Sequence, residues 1–221
     1  MTQEESVARL AKLDTCAVSD ALDRLGLKGA TIGIRPVWPC PRIAGRAVTV
    51  KIKPAGLDKS KVHLGTPAIE AAKAGEIIVV DSGGRPDVAA WGGLLSLASK
   101  LKGIGGVVVD GACRDVDESR DLGFPVYARA VVPVTARGRI MQQSFNEEVQ
   151  CGGAQVRPGG LLIADGSGVV FIPREKEKEV LAEAEAIAGR EAKMAEALRG
   201  GRSIMEVMEG YESMLVEEKG K

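Results

Sequence analysis

Two short apolar runs, and the stretch that separates them, constrain this chain more than any other feature. Residues 77–82 read IIVVDS and residues 107–110 read VVVD. Consecutive β-branched residues without polar alternation predict strands buried on both faces, as in parallel sheets covered by helices. Between the runs, Gly92 to Lys102 carries a helical pattern that puts Trp91, Leu94, Leu95, Ala98 and Leu101 on one side, and Gly103 to Gly106 ends it. Strand, helix and strand with short links make a βαβ unit, so a parallel pair is expected here.

The flanking sequence extends this unit in both directions. Residues 4–25 predict two short helices, with Val18, Ala21, Leu22 and Leu25 repeating at helical spacing and Asp14 or Thr15 as N-cap. Gly29 to Pro41 is too rich in proline and glycine for regular structure. Val48, Val50 and Ile52 then alternate as one face of a strand, and a helix is expected around Thr66 to Ala74. Pro125 to Val132 predicts another strand. Gln155 to Pro173 predicts three short β segments separated by RPGG and DGSG, which is turn chemistry and points to antiparallel pairing. Arg174 to Leu198 is helical and highly charged, with Val180, Ala184, Ile187, Met194 and Leu198 on one stripe. Ser203 to Glu206 is a capping box for a last helix to about Leu215. The expected organisation is an α/β core over residues 1–173 and a helical tail over 174–221 that packs on the core or on a neighbouring subunit.

Composition excludes several functions. Lys plus Arg equals Asp plus Glu at 30 each with no basic block, so no nucleic-acid partner is expected. Aromatics are 3%, too few for base-stacking platforms. Cys16, Cys40, Cys113 and Cys151 form no C-x-x-C pair, which argues against zinc ribbons and disulfide frameworks. No run approaches the ~18 apolar residues of a membrane span. The N-terminal MTQEESVARL has no apolar signal core, and a soluble cytoplasmic protein is expected.

The residues suited to chemistry cluster at the ends of the βαβ unit. Arg114 and Asp115 follow the second buried run, where open α/β sheets place their ligands. A guanidinium can grip a carboxylate with two bonds, and a carboxylate can hold Mg²⁺ or Mn²⁺ among retained waters. A structural Arg–Asp pair, or Asp115 as N-cap of Val116 to Leu122, would read the same. Gly92, Gly93, Leu94 and Leu95 open the helix, and their amides could receive a carboxylate, although the glycines could equally serve only a tight turn. Cys113 beside Arg114 could have a lowered pKa. His63, the only histidine, is expected at a surface or interface. Asp81 and Asp110 at strand ends read first as turn caps.

The passages TCAVSDALDRLG (15–26), IRPVWPCPRIAGRAVTV (34–50), WGGLL…GVVVDGACRDVDESRDLGFPVYARAVVP and VRPGGLLIADGSGVVFIPR (156–174) are similar to the RraA-like family. That resemblance implies an α/β/α sandwich of the swivelling-domain type with a mixed sheet and C-terminal helices, assembled as homotrimers or homohexamers with sites between subunits. The family includes class II pyruvate aldolases acting on 4-hydroxy-4-methyl-2-oxoglutarate and 4-carboxy-4-hydroxy-2-oxoadipate, which often decarboxylate oxaloacetate, and a protein regulator of ribonuclease E. By resemblance, Arg114 binds the carboxylate and keto oxygen of a small 2-oxo acid and stabilises its enolate. Asp115 anchors Mg²⁺ or Mn²⁺, and the Gly92 to Leu95 amides hold the substrate carboxylate.

Two departures accompany the match. The aldolases carry an acid followed, after twenty intervening positions, by Arg-Asp, and here that position is Gly93. A second acid comes from a neighbouring subunit's tail, and the aligned segment here is Gly200-Gly201-Arg202. The expectation is therefore a metal-dependent lyase acting through a pyruvate enolate, with oxaloacetate decarboxylation fitting the depleted site best because it needs no base for a hydroxyl proton. The alternative is a non-enzymatic regulator that binds a ribonuclease or another protein partner.

Overall fold

The computed structural model describes residues 2–56 and 62–209. In chain order the elements are α1 (Gln3–Leu10), α2 (Thr15–Arg24), β1 (Arg35–Pro36), β2 (Ile43–Pro54), α3 (Thr66–Ala71), β3 (Ile77–Asp81), β4 (Ala89–Trp91), α4 (Gly93–Leu101), β5 (Gly106–Cys113), α5 (Val116–Asp121), β6 (Val126–Val131), β7 (Ile140–Phe145), β8 (Val149–Cys151), β9 (Ala154–Val156), β10 (Leu161–Asp165), β11 (Gly168–Ile172), and α6 (Glu177–Arg199), which a 3₁₀ turn at Arg174–Lys176 leads into.

The two β-branched runs lie side by side as predicted. β3 and β5 pair in parallel from Ile77 with Gly106 to Asp81 with Asp110. Every residue of both strands is buried. They form the middle of a mixed sheet of order β1-β6-β5-β3-β2-β10-β11, with β4 added to β5 and β7 to β2. β2, β3, β5 and β6 are parallel neighbours, whereas β10 and β11 run antiparallel, as the turn chemistry between them requires. The two ends of the sheet approach each other, where Arg35 donates to Ser167 O and Ala30 bridges Val170, so the sheet nearly closes.

Three apolar clusters hold these layers. α3, α4 and α5 cover one side of the sheet through Ala68, Ile69, Leu95, Ala98 and Val116, around Trp91 and Phe124, whose rings stack with centroids 6.5 Å apart. The β8–β9 hairpin closes the concave side over Val79, Val108 and Tyr127. α1, α2 and α6 cover β10 and β11, with Val18, Ala21 and Leu22 buried against Val180, Leu181 and Ala184. Helices thus lie on two sides of a mixed sheet, the expected α/β/α class. Asp14 caps α2 by accepting from Ala17 N at 2.8 Å. The start of α6 is fixed by a buried ion pair in which Arg46 on β2 donates to both carboxylate oxygens of Glu177, at 2.8 and 3.1 Å. Its middle is tied by Arg9–Glu185 and Arg24–Glu183, each at 2.7 Å.

Several expectations are corrected. The stripe assigned to the inner face of α4 points the wrong way in part: Leu94 and Leu101 are 82% and 80% exposed, and the buried positions are Gly93, Ser96 and Ser99. Small residues face inward because α5 packs close there. Leu25 at the end of α2 is likewise exposed. α3 stops at Ala71, since Ala72 is extended. β1 falls inside the stretch read as irregular, and β4, β7 and β8 have no counterpart in the sequence reading. The last helix opens as its capping box predicts, with Ser203 N donating to Glu206 Oε2 and Glu206 N to Ser203 Oγ. It is helical over 204–209, and its expected continuation to Leu215 lies outside the described residues. No helix of the described residues is long and apolar enough to cross a membrane.

Candidate active site

β4 creates the site. Its three residues return the chain alongside the far end of β5, pairing Ala89 with Ala112 and Trp91 with Cys113. Arg114 N donates to Trp91 O at 3.0 Å, which sets Arg114–Asp115 against the Gly92–Gly93 turn that opens α4. Residues separated by some twenty positions thereby share one surface.

Asp115 does not cap the helix that follows it. Its side chain makes no bond to the first turn of α5, and its Oδ2 instead accepts from Gly93 N at 2.9 Å, capping α4 across the gap. Gly92 has no side chain with which to do so. A carboxylate there meets both an unpaired amide and the positive end of the α4 dipole. The backbone of Asp115 is left-handed, φ 56° and ψ 44°, a conformation aspartate tolerates better than most residues. It turns the chain sharply enough that α5 runs back beside α4.

The two glycines are needed for space. Neither has a positive φ. A Cβ on Gly92 would stand 2.7 Å from Asp115 Oδ2 and 3.2 Å from Arg114 Nε. A Cβ on Gly93 would overlap Glu118 Oε2 outright. The position where the resemblance implies an acid is therefore filled by the carboxylate of Glu118, reaching in from α5. Sequence reasoning missed Glu118. Its one visible mark is spacing, since it lies three residues after Asp115 and so on the same side of a helical turn.

The resulting constellation is two carboxylates and a guanidinium around one helix start. Arg114 Nε lies 3.2 Å from Asp115 Oδ2, with the two side chains 41% and 33% exposed. Among the described residues the terminal nitrogens of Arg114 meet no acceptor, so its fork is available to an anion. The amides of Leu94 and Leu95 complete the first turn, where no intrahelical carbonyl can reach them. Among the described residues no group of three or more His, Cys, Asp or Glu side chains converges. Two hard oxygen donors beside open solvent do not suit a closed zinc site. They suit Mg²⁺ or Mn²⁺, which bind through one or two carboxylates and keep their waters. The absent side chains at 92 and 93 leave the space that the Asp115 and Glu118 carboxylates occupy at the start of α4.

The other candidates are placed elsewhere. Cys113 is buried, and burial, together with the nearby Asp115 charge, pushes its thiol up to about 12, so the expectation of a lowered pKa is overturned. His63 is exposed and lines a cavity of about 290 Å³ between α3 and α4 with Ile69, Leu94 and Leu95, on the flank of α4 away from α5. Asp81 accepts from Gly83 N and Gln150 N, a turn cap that also anchors the β8–β9 hairpin. Asp110 accepts from Gly152 N and from Arg129. Gly200 ends α6, and Gly200–Arg202 contributes no acid. A larger cavity of about 370 Å³ lies between β9 and β11, where Arg157 is already paired with Glu148 and Glu175.

Comparison with known proteins bears on this geometry. The sequence pattern of the RraA-like family (Aldolase/RraA) matches residues 15–171. A protein of Halalkalibacterium halodurans, provisionally named 4-hydroxy-4-methyl-2-oxoglutarate aldolase, is 34% identical over 178 residues, covering 80% of this chain and 81% of its own. Protein DlpA of Legionella pneumophila is 28% identical over 210 residues, 95% of this chain, although the chain spans only 34% of the length of DlpA. The crystal structure of an uncharacterized protein from Pseudomonas syringae pv. tomato matches with a TM-score of 0.84 at 29% identity, over 93% of this chain and 97% of that one. The matched pattern covers most of the chain, including the whole Gly92 to Glu118 constellation, and this protein belongs to the RraA-like family.

Proposed function

We propose that this protein is a divalent-metal-dependent lyase that breaks a C–C bond of a small 2-oxo acid and passes through a pyruvate enolate. The observation that carries the reading is the convergence of Asp115, Glu118 and the open fork of Arg114 on the Gly92–Gly93 cradle. Oxaloacetate decarboxylation is the simplest reaction of this kind. Arg114 grips the carboxylate and the keto oxygen of the substrate, and the Leu94 and Leu95 amides hold the remaining carboxylate oxygen. When the C3–C4 bond breaks, carbon dioxide leaves and the bonding pair moves into C2–C3 as the keto oxygen becomes an enolate. Arg114 stabilises that charge as it forms, which is where an enzyme gains most. A proton delivered to C3 then gives pyruvate. Mg²⁺ or Mn²⁺ held by Asp115 and Glu118 would supply further positive charge beside the keto oxygen.

Glu118 widens the reading. Aldol cleavage of a 4-hydroxy-2-oxo acid needs a base for the hydroxyl proton, and an exposed carboxylate beside the cradle provides one. We therefore include aldolase activity of the 4-hydroxy-4-methyl-2-oxoglutarate type. The apolar outer face of α4, with Leu94 and Leu101, suits the interface of a homotrimer or homohexamer. Pyruvate release from oxaloacetate, measured with Mg²⁺, with EDTA and with Arg114→Ala, tests the proposal. Chelation and the substitution should each lower kcat/KM by about 100-fold or more. Activity that survives both would refute it.

A further inference from the structure

Beneath the Arg114–Asp115 turn, three buried side chains join α4 to α5. Trp91 Nε1 donates to Ser96 Oγ at 3.0 Å, Ser96 Oγ lies 2.9 Å from Ser119 Oγ, and Ser119 Oγ reaches Asp115 O at 3.3 Å. Trp91, Ser96 and Ser119 are 2%, 0% and 1% exposed. Chemistry orders the hydrogens along this line. An indole N–H can only donate, so Ser96 Oγ accepts it and its own hydrogen is left for Ser119. Ser119 Oγ, having accepted, donates to the Asp115 carbonyl. Each hydroxyl both accepts and donates, and hydrogen bonds in series strengthen one another.

The line ends on the strained residue. The Asp115 carbonyl also accepts from Ser119 N at 3.1 Å, so two donors hold it, while Gly93 N holds the side chain. Asp115 is one of two non-glycine residues with positive φ among the described residues. Such a conformation persists only where its surroundings over-determine it. Ser99, on the same inner face of α4 and 0% exposed, has a hydroxyl with no partner. Burial of a serine on this face is therefore separable from membership in the line.

We propose that Ser96 and Ser119 are positioning residues: the indole–hydroxyl–hydroxyl line holds Asp115 in its left-handed turn and so fixes where the carboxylates of Asp115 and Glu118 stand over the α4 cradle. The catalytic consequence rests on the lyase reading, whereas the backbone consequence does not.

Ser96→Ala and Ser99→Ala remove the same atom from the same helix face, one inside the line and one outside it. Amide hydrogen exchange at Gly93 and Ser119, Mn²⁺ affinity by calorimetry, and kcat against KM are measured for both. Ser96→Ala should speed exchange at both amides by about tenfold or more. It should weaken Mn²⁺ by about 10-fold, the lower end of what the loss of a ligand-orienting partner does, and lower kcat with little change in KM. Ser99→Ala should match the wild type in all three. Trp91→Phe removes the first donor and serves if Ser96→Ala does not fold. Exchange at Gly93 and Ser119 that is equal in the Ser96→Ala and Ser99→Ala proteins overturns the inference. A wild type that neither binds Mn²⁺ nor releases pyruvate overturns the lyase reading instead, and the exchange contrast still decides the role of the line.

Discussion

Replacing Gly93 by alanine separates the space the site needs from the stability of the fold. The backbone at Gly93 is not left-handed, so alanine fits its conformation, and the helix gains about 0.5–1 kcal/mol from losing a glycine. Against that, the new Cβ would overlap Glu118 Oε2 and lie 2.8 Å from Glu118 Cδ. Overpacking against a fixed neighbour costs about 1–3 kcal/mol. The exposed Glu118 side chain can yield to the new Cβ by turning into solvent, although its backbone stays in place. Stability should therefore stay within about 1 kcal/mol of wild type while Glu118 leaves the cradle. Losing a positioned acid or base lowers the rate by about 10²-fold, equivalent to about 2.7 kcal/mol in the barrier. Glu118→Ala should produce a similar loss, and the double variant should be no slower than the poorer single one, because both remove the same group. Urea unfolding and steady-state pyruvate release from 4-hydroxy-4-methyl-2-oxoglutarate, whose cleavage needs the base, report the two quantities. Wild-type activity in Gly93→Ala, or losses that multiply to about 10⁴-fold in the double variant, would refute the reasoning.

Further outcomes follow from the remaining contacts. Arg46→Ala leaves Glu177 buried without its partner and should cost about 3–5 kcal/mol, whereas Arg46→Met with Glu177→Leu should come close to wild type, both read by denaturant midpoints. Burial of Asp165 opposes its ionisation, but the amide and hydroxyl of Thr15, the amide of Ser167 and the charge of Arg42 outweigh it and hold its pKa below the ordinary value. A lowered folded pKa gives stability that is complete above the unfolded value of about 3.9 and is lost as pH falls through the folded one. Wild type should accordingly lose more stability than Asp165→Asn between about pH 5 and pH 3, as urea midpoints across that window would show. Cys113, buried with its thiol pushed up to about 12, should resist alkylation in the folded protein while exposed Cys16 reacts, which peptide mapping would reveal.

The βαβ unit was legible because long β-branched runs have few other uses, and the antiparallel segment was legible from its glycine turns. β4 was not, since Ala-Ala-Trp has no periodicity to read and pairs only because β5 runs on to Cys113. The inner face of α4 was misread for a related reason: its packing is set by close approach to α5 and by hydroxyl bonds, and Ser96 and Ser99 look polar to any apolar template. Arg114 and Asp115 were singled out because both lie just past a buried strand. Asp115 resembled a cap for its own helix, yet it caps the neighbouring one, a partnership that only the tertiary fold creates. Glu118 was hidden because its role depends on the volume missing at Gly93, and sequence spacing does not report volume.

In the proposed lyase the start of α4 at Gly92–Gly93 brings a metal ion and a 2-oxo acid together. A crystal grown with Mn²⁺ and oxalate, an enolate mimic, tests it most directly through the anomalous signal of the ion. An ion is expected at the carboxylates of Asp115 and Glu118, directly or through water, with oxalate on the fork of Arg114 and the Leu94 and Leu95 amides. Oxalate bound away from Arg114, or a cradle without an ion at saturating Mn²⁺, would contradict it.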